Sequence, residues 1–445
     1  MGFSQFFLNQ MRSFYMNFKV CSPLQKALML TAVMLPFSLT AVAEVSKAQA
    51  PTLKINGFTV LSGAMASQTR KENGAGGTDP HVSIGASDMY FTVAGKSANG
   101  LDYKYRINFQ TIPGSSTYVN KNYVELSGGF GTFQVGAVTG PVDSMPESGA
   151  SLIGGANGID GGMNGIYNYS AGVISGANMV GESKRATKVV FYSPEVLGFQ
   201  LGVSFTPNTS HMGDASKNNS VVGDDLKAGN QTGYLYYDKN HAPYGRRNLE
   251  MGITYKGNVE KWSYALSATA IREKTQYTDF GKLKDLGHVP MNNASSYQLT
   301  AAVGYDKWRV ATGYIDNGKS RLPKNNDIEK SIAYMKDAYL GNAGKAWNVG
   351  TSYTVGAYQF ATAYHRTDRK TDATQKASSD IVATSVDLSA LEGLKFFGEV
   401  DFVRTRTNAK AIENQQAYMD AEGKGNKAIG NNSGAVFILG TKMSF

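Results

Sequence analysis

Apolar and polar residues alternate along most of this chain, in runs of about ten. Leu101, Tyr103, Tyr105, Ile107 and Phe109 are interleaved with Asp102, Lys104, Arg106, Asn108 and Gln110. Trp262, Tyr264, Leu266 and Ala268 alternate in the same way with Lys261, Ser263, Ala265 and Ser267, and the chain closes on Ala435, Phe437, Leu439, Thr441, Met443 and Phe445 at every second position. A period of two places successive side chains on opposite faces of a strand, so each run predicts a strand with one oily and one wet face. Sixteen such segments begin near residues 53, 84, 101, 118, 131, 185, 199, 248, 261, 295, 307, 346, 357, 380, 393 and 434. The connections also alternate. Those after even-numbered segments are short ("KSANG", "SGGFG", "SPEVLG", "KGNVE", a turn near Asp306, "GA", "ALEG"), whereas 207–247, 273–294, 317–345 and 405–432, after odd-numbered ones, are long and polar. Antiparallel neighbours joined in this way gather the tight turns at one end of a sheet and the long loops at the other.

One-faced strands serve either a soluble sandwich, which buries its apolar faces between two sheets, or a membrane barrel, which turns them to lipid and closes on itself. The leader separates the two. The first 43 residues hold no Asp or Glu, carry Arg12, Lys19 and Lys26, and end in the apolar run "ALMLTAVMLPFSLTAVA". That order is a secretory signal peptide, 1–43, with Ala41-Val42-Ala43 as its cleavage motif; the alternative end at residue 50, after Ala48-Gln49-Ala50, would put Pro51 beside the cut bond. Cleavage removes three basic residues and lowers the formal charge from +9 to +6, spread along the chain. A nucleic-acid-binding protein would concentrate that charge. It also removes Cys21, the one cysteine, so no disulfide holds the exported chain.

Export, mid-strand Lys, Arg, Asp and Glu on the wet faces, and aromatics beside the short turns (Tyr255, Trp262, Tyr305, Trp308) favour the barrel. The expectation is an all-β protein: a transmembrane antiparallel β-barrel of 16 strands, residues 44–445 forming a single domain. Gly, at 50 residues, and Tyr, at 25, suit many turns and interfacial rings. One connection stands apart. Residues 139–183 ("GPVDSMPESGASLIGGANGIDGGMNGIYNYSAGVISGANMV") are too long and too apolar for a solvated tip.

The mature chain resembles the general (diffusion) porins of Gram-negative bacteria, close to the alphaproteobacterial type. The resemblance runs through "LKINGFTVLSGA", "YFTVAGKSANGLDYKYRINFQT", "YVELSGGFGTFQVGAVTG" and "KVVFYSPEVLGFQLGVSFTP", in that order. The tail Gly440-x-x-Met443-x-Phe445 is similar to the terminal assembly signal of outer-membrane barrels. The resemblance implies that the third long loop, 139–183, folds into the lumen and constricts the pore. Its "MPESGA" is similar to the Pro-Glu-x-Gly-Gly tip of enterobacterial porins, matching at Pro146, Glu147 and Gly149 and departing at Ala150. Asp143, Glu147 and Asp160 are the acidic candidates at the constriction. Lys104, Arg106, Lys121 and Lys188 are the basic candidates on the facing wall, while Ala137 stands where porins commonly carry Arg.

The implied activity is passive diffusion of small hydrophilic solutes and ions through a water-filled channel in the cell outer membrane, ordered by opposed charges across a narrow wet gap. The implied partners are outer-membrane lipid and lipopolysaccharide, the barrel assembly machinery, and two further copies in a homotrimer. No cofactor, metal site, nucleic acid or catalysis is expected. Gly95-Lys96-Ser97 lacks the first glycine of a phosphate loop, Tyr90 standing in its place, and there is no G-x-S-x-G or H-E-x-x-H. The five histidines, His81, His211, His241, His288 and His365, fall in expected loops or near a strand end. A substrate-specific channel, a barrel-type hydrolase and a plugged adhesive or structural barrel are the alternatives.

Overall fold

The computed structural model describes residues 48–70, 80–112, 118–155, 158–160, 166–209, 243–277, 291–324, 340–421 and 427–445. The expected leader 1–43 lies outside these residues, as do His211, His241 and His288. The strands are β1 (Gln49–Gln68), β2 (His81–Lys96), β3 (Asp102–Gln110), β4 (Tyr118–Gly128), β5 (Gly131–Ala137), β6 (Thr187–Tyr192), β7 (Phe199–Asn208) and β8 (Pro243–Val259). They continue as β9 (Trp262–Tyr277), β10 (Ala294–Tyr305), β11 (Trp308–Asp316), β12 (Lys345–Val355), β13 (Tyr358–Lys370), β14 (Lys376–Leu391), β15 (Leu394–Arg406) and β16 (Asn432–Ser444). Each pairs antiparallel with its neighbours in sequence. β16 also pairs with β1, from Phe58 opposite Ser444 to Gln68 opposite Gly434, so the sheet closes into a sixteen-stranded barrel.

The alternation read from the sequence sorts side chains between the two faces of this barrel. On β16, Phe437, Leu439 and Met443 are exposed while Val436 and Ile438 are buried. Leu439 is 71% exposed, Phe402 56% and Trp308 53%, values that would make a soluble protein aggregate but that suit a surface solvated by hydrocarbon. The turn end of this face carries ring pairs: Phe199–Tyr255 at 4.8 Å, Trp262–Tyr305 at 4.7 Å and Trp308–Tyr353 at 4.6 Å between centroids. A second set, Tyr297–Tyr314 and Trp347–Tyr364, lies toward the loop end. On β10, Tyr297 and Tyr305 are separated by about 27 Å of strand, or about 20 Å along the normal at a barrel tilt near 40°, comparable with a membrane's apolar band.

The short turns sit where alternation stops. Asp306 takes φ +52° between β10 and β11, and Gly393 takes φ +75° between β14 and β15. At Gly393 a Cβ would also come within 2.3 Å of the Ser444 carbonyl, so a side chain there would obstruct the last strand. Some expected boundaries move. β1, β8 and β14 begin four or five residues before the alternation does, and "KGNVE" lies mostly within β8, leaving Glu260 and Lys261 as the turn. Strand ends beyond the apolar band keep their ladder bonds while their side chains turn polar, so hydrophobicity under-reports them. In the expected loop 405–432, residues Ala409–Ala421 form a helix, α2. Asn408 caps it by accepting from the Ala411 amide at 2.9 Å. Its apolar residues are mostly alanine and form no strong stripe, so the sequence carries little amphipathic signal for it.

Candidate functional site

Residues 138–186 join β5 to β6, and the described ones bond side chains on the face of the sheet opposite the exposed apolar one. The outward leg starts with a one-turn helix, α1 (Pro141–Ser144). Pro141 and Met145 lie on Gly202 of β7 and Gly252 of β8, which pair with each other; a Cβ on either glycine would stand 2.6 Å from the Met145 sulfur. Close approach of this kind requires glycine. The leg then moves strand by strand. The Glu147 amide donates to Thr300 of β10, the Ala150 amide to Asn348 of β12, the Gly154 and Gly155 amides to Ser385 and Asp387 of β14, and the Gly158 amide to Glu399 of β15. Further along, the Asn168 amide donates to Gln68 of β1 and its carbonyl accepts from Asn432 of β16.

The return leg retraces the same strands nearer their loop ends. Ser170 bonds Thr405 of β15, the Ile174 carbonyl accepts from Thr367 of β13, the Val180 carbonyl from Ser296 of β10, and the Gly181 carbonyl from Asn248 of β8. Buried irregular backbone is tolerated only when its amides and carbonyls find partners, and the inward Ser, Thr, Asn, Asp and Glu side chains supply them. Apolar clusters fill the remainder, the largest joining Ile153, Ile159 and Tyr167 to Ile381, Phe397, Val436 and Ile438.

The expected acidic residues lie apart. Asp143 is exposed on α1, near enough to Lys121 for their charges to interact. Glu147 is half-buried and held by Arg309 of β11, which donates through Nε to Oε1 and through Nη2 to Oε2 at 2.6 Å, with Nη1 on Ser263. Asp160 ends a short 3-10 turn, and its side chain lies outside the described ones. Among the basic set, Lys104 pairs with Glu125 at 2.7 Å, Arg106 lies 4.2 Å from the Tyr90 ring centroid, and Lys121 reaches Thr139 at 3.5 Å. Lys188 has the expected inward parity but is 2% exposed, its ammonium donating to Ser183 and to the Lys184 carbonyl. It fastens the return leg and does not face open water. Glu250 works beside it, accepting from the Ser183 amide and hydroxyl at 2.8 and 2.5 Å. Ala137, in the place of the usual arginine, is buried.

Arg309, Glu250 and Asn348 were not singled out from the sequence. Their inward parity was legible, but parity does not say which segment crosses in front of them. His365 is buried on the inner face of β13 and His81 opens β2. Among the described residues no three His, Cys, Asp or Glu side chains are grouped to hold a metal ion. At the chain end, the Phe445 amide and carbonyl each bond Gly57 at 3.0 Å, Met443 lies opposite Thr59, and a Cβ on Gly440 would strike Phe397 and the Leu61 carbonyl.

The Glu147–Arg309 pair makes a signed prediction. Glu147→Gln leaves Arg309 unneutralised and should move permeability toward anions; Arg309→Gln should move it toward cations. Each shift should be about twofold in the permeability ratio, with the double variant near the parent. Reversal potentials in a salt gradient measure this, and equal values for all four proteins would remove the pair from the ion path.

The family model of Gram-negative porins matches residues 30–408. An uncharacterized protein of Rickettsia conorii is 24% identical over 281 residues, covering 59% of this chain and 58% of that protein. One of Rickettsia bellii is 23% identical over 292 residues with the same coverage, so the chain spans less than two thirds of these relatives. Among solved structures, in-vitro folded OmpT, an outer membrane protein of Vibrio cholerae in its trimer form, superposes with a TM-score of 0.52 at 10% identity, covering 89% of this chain and all of that one. A loop L8 deletion mutant of the same protein gives 0.51 at 11% identity, with the same coverage. These likenesses agree in fold.

Proposed function

We propose, from the premise that this chain belongs to the Gram-negative porin family, that it carries small hydrophilic solutes and ions across the outer membrane by passive diffusion. The family and the closed sixteen-stranded barrel make it an outer-membrane porin channel, and the matches in Rickettsia agree with an alphaproteobacterial affinity. The observation that carries the finer reading is the path of residues 138–186. The described ones lie on the face away from the apolar belt and bond strands from β8 round to β1. In a closed barrel that face is the interior. On this reading the segment crosses the lumen and narrows it, leaving a gap beside α1 where Lys121 is near enough to Asp143 for their charges to interact, with Arg106 and the Glu125-paired Lys104 on the adjoining β3. Sixteen strands enclose more space than side chains alone fill, and a charged, wet gap passes hydrated solutes while disfavouring apolar ones.

We assign the chain no catalytic role, since the inward carboxylates of Glu250, Asp387 and Glu399 are engaged in holding the segment's backbone. We also assign cleavage after Ala43, because β1 already begins at Gln49 and the later cut would trim it. Outer-membrane lipid and lipopolysaccharide against the apolar face, the barrel assembly machinery at the β16 tail, and a homotrimer complete the proposal.

Purified protein in a planar bilayer tests it. Large, ohmic conductance steps without saturation are expected. Absence of steps would indicate a plugged barrel and end the diffusion reading.

A further inference from the structure

The two legs of the inner segment do not close on one another. Between them lies a cavity of about 350 Å³, bounded by Val142, Asp143 and Ile153 of the outward leg, Met179 and Glu182 of the return leg, and Gln298 of β10. That volume is in the range of small-molecule sites, and its lining is mainly polar, with Val142, Ile153 and Met179 supplying an apolar part. Two carboxylates and no basic residue line it. Glu182 is the decisive one. Its side chain is 8% exposed, Oε2 is held by Lys184 at 2.8 Å, and Oε1 is buried without a hydrogen-bond partner. A buried carboxylate oxygen left without a donor is costly unless something supplies one.

We propose that this cleft is a binding site for small organic cations: a primary ammonium donating to Glu182 Oε1, with Asp143 adding charge, and a compact apolar body against Val142, Ile153 and Met179. The site deepens the channel reading and rests on it for the solute's route, since an amine that pauses here would pass saturably while neutral solutes diffuse freely. Burial above all, opposed by Lys184 and reinforced by Asp143 and Glu250, brings the Glu182 carboxyl up to about 7, and the buried Lys188 ammonium also lies within reach of its charge. A proton and an ammonium therefore compete for the same oxygen, and amine binding should strengthen from pH 6 to pH 8.

The test uses the full-length protein in two formats, calorimetric titration in detergent and single-channel recording in a planar bilayer. The probes are phenethylamine, its neutral counterpart 2-phenylethanol, and ammonium chloride as a cation without a body. Phenethylamine should bind saturably and interrupt the current, at least fivefold more tightly than either control. Its affinity should rise between pH 6 and pH 8, and Glu182→Gln should lower it at least fivefold and flatten the pH dependence. Phenethylamine and 2-phenylethanol acting alike on the parent protein would overturn the proposal, as would unchanged affinity in Glu182→Gln. A protein that binds the amine in detergent yet gives no conductance steps would instead refute the channel reading and leave the site standing.

Discussion

Removal of residues 443–445 should cut the yield of folded barrel in the outer membrane at least about tenfold, because closure depends on groups left without partners in a medium that offers few. The Phe445 amide and carbonyl bond the two backbone groups of Gly57 at 3.0 Å, and the Ser444 amide bonds the Gly393 carbonyl at 2.7 Å. Each unsatisfied backbone group in hydrocarbon costs several kcal/mol. Even where interfacial water relieves part of that cost, the seam between β1 and β16 is frayed at its turn end. The outward Met443 and Phe445 are lost as well, and with them the apolar edge that we assign to recognition by the assembly machinery. The fraction that keeps its compact mobility on an unheated gel reports folding. A normal yield of heat-modifiable barrel from the truncated chain would show that neither the seam nor the tail controls assembly.

Replacing residues 147–181 by a short flexible linker should raise single-channel conductance several-fold. The linker needs little length because Pro146 and Glu182 border the same cleft. Conductance follows the narrowest cross-section, which we assign to this segment where it bonds the inner faces of strands from β8 round to β1. The same change should lower thermal stability, since Ile153, Ile159 and Tyr167 would no longer cover Ile381, Phe397, Val436 and Ile438. The inward Asn348, Ser385 and Glu399 would exchange backbone partners for water, at small cost in a wet lumen. Unchanged conductance in a folded variant would mean that the segment lies outside the ion path.

The number and order of the strands were legible, and several of their starts. The expected starts at 118, 131 and 199 coincide with β4, β5 and β7, and the exposed large apolar residues of β16, Phe437, Leu439 and Met443, lie on the expected outward face. The misses have a common cause. At Pro243–Arg246 and Lys376–Ser379 the chain is already paired, but it has risen past the apolar band, so its side chains no longer alternate in polarity. The site was legible as a set of residue types and only partly as an arrangement. Glu147 and Lys104 are charged and inward, yet each is neutralised by a neighbour, Arg309 and Glu125, that parity alone could not pair with it. Lys188 shows the same limit, having inward parity and no water to face.

The sequence by itself determined that this chain would make one-faced strands in even number, with the turns at one end and the loops at the other. Those features follow from a period of two and from local turn chemistry, which any ten-residue window carries. Only the tertiary structure decided where residues 138–186 run, because their course depends on contacts between residues as far as 264 positions apart, such as the Asn168 carbonyl with Asn432. A polar side chain on the inner face records that it needs a partner. Which backbone group satisfies it is settled when the closed sheet brings the two together.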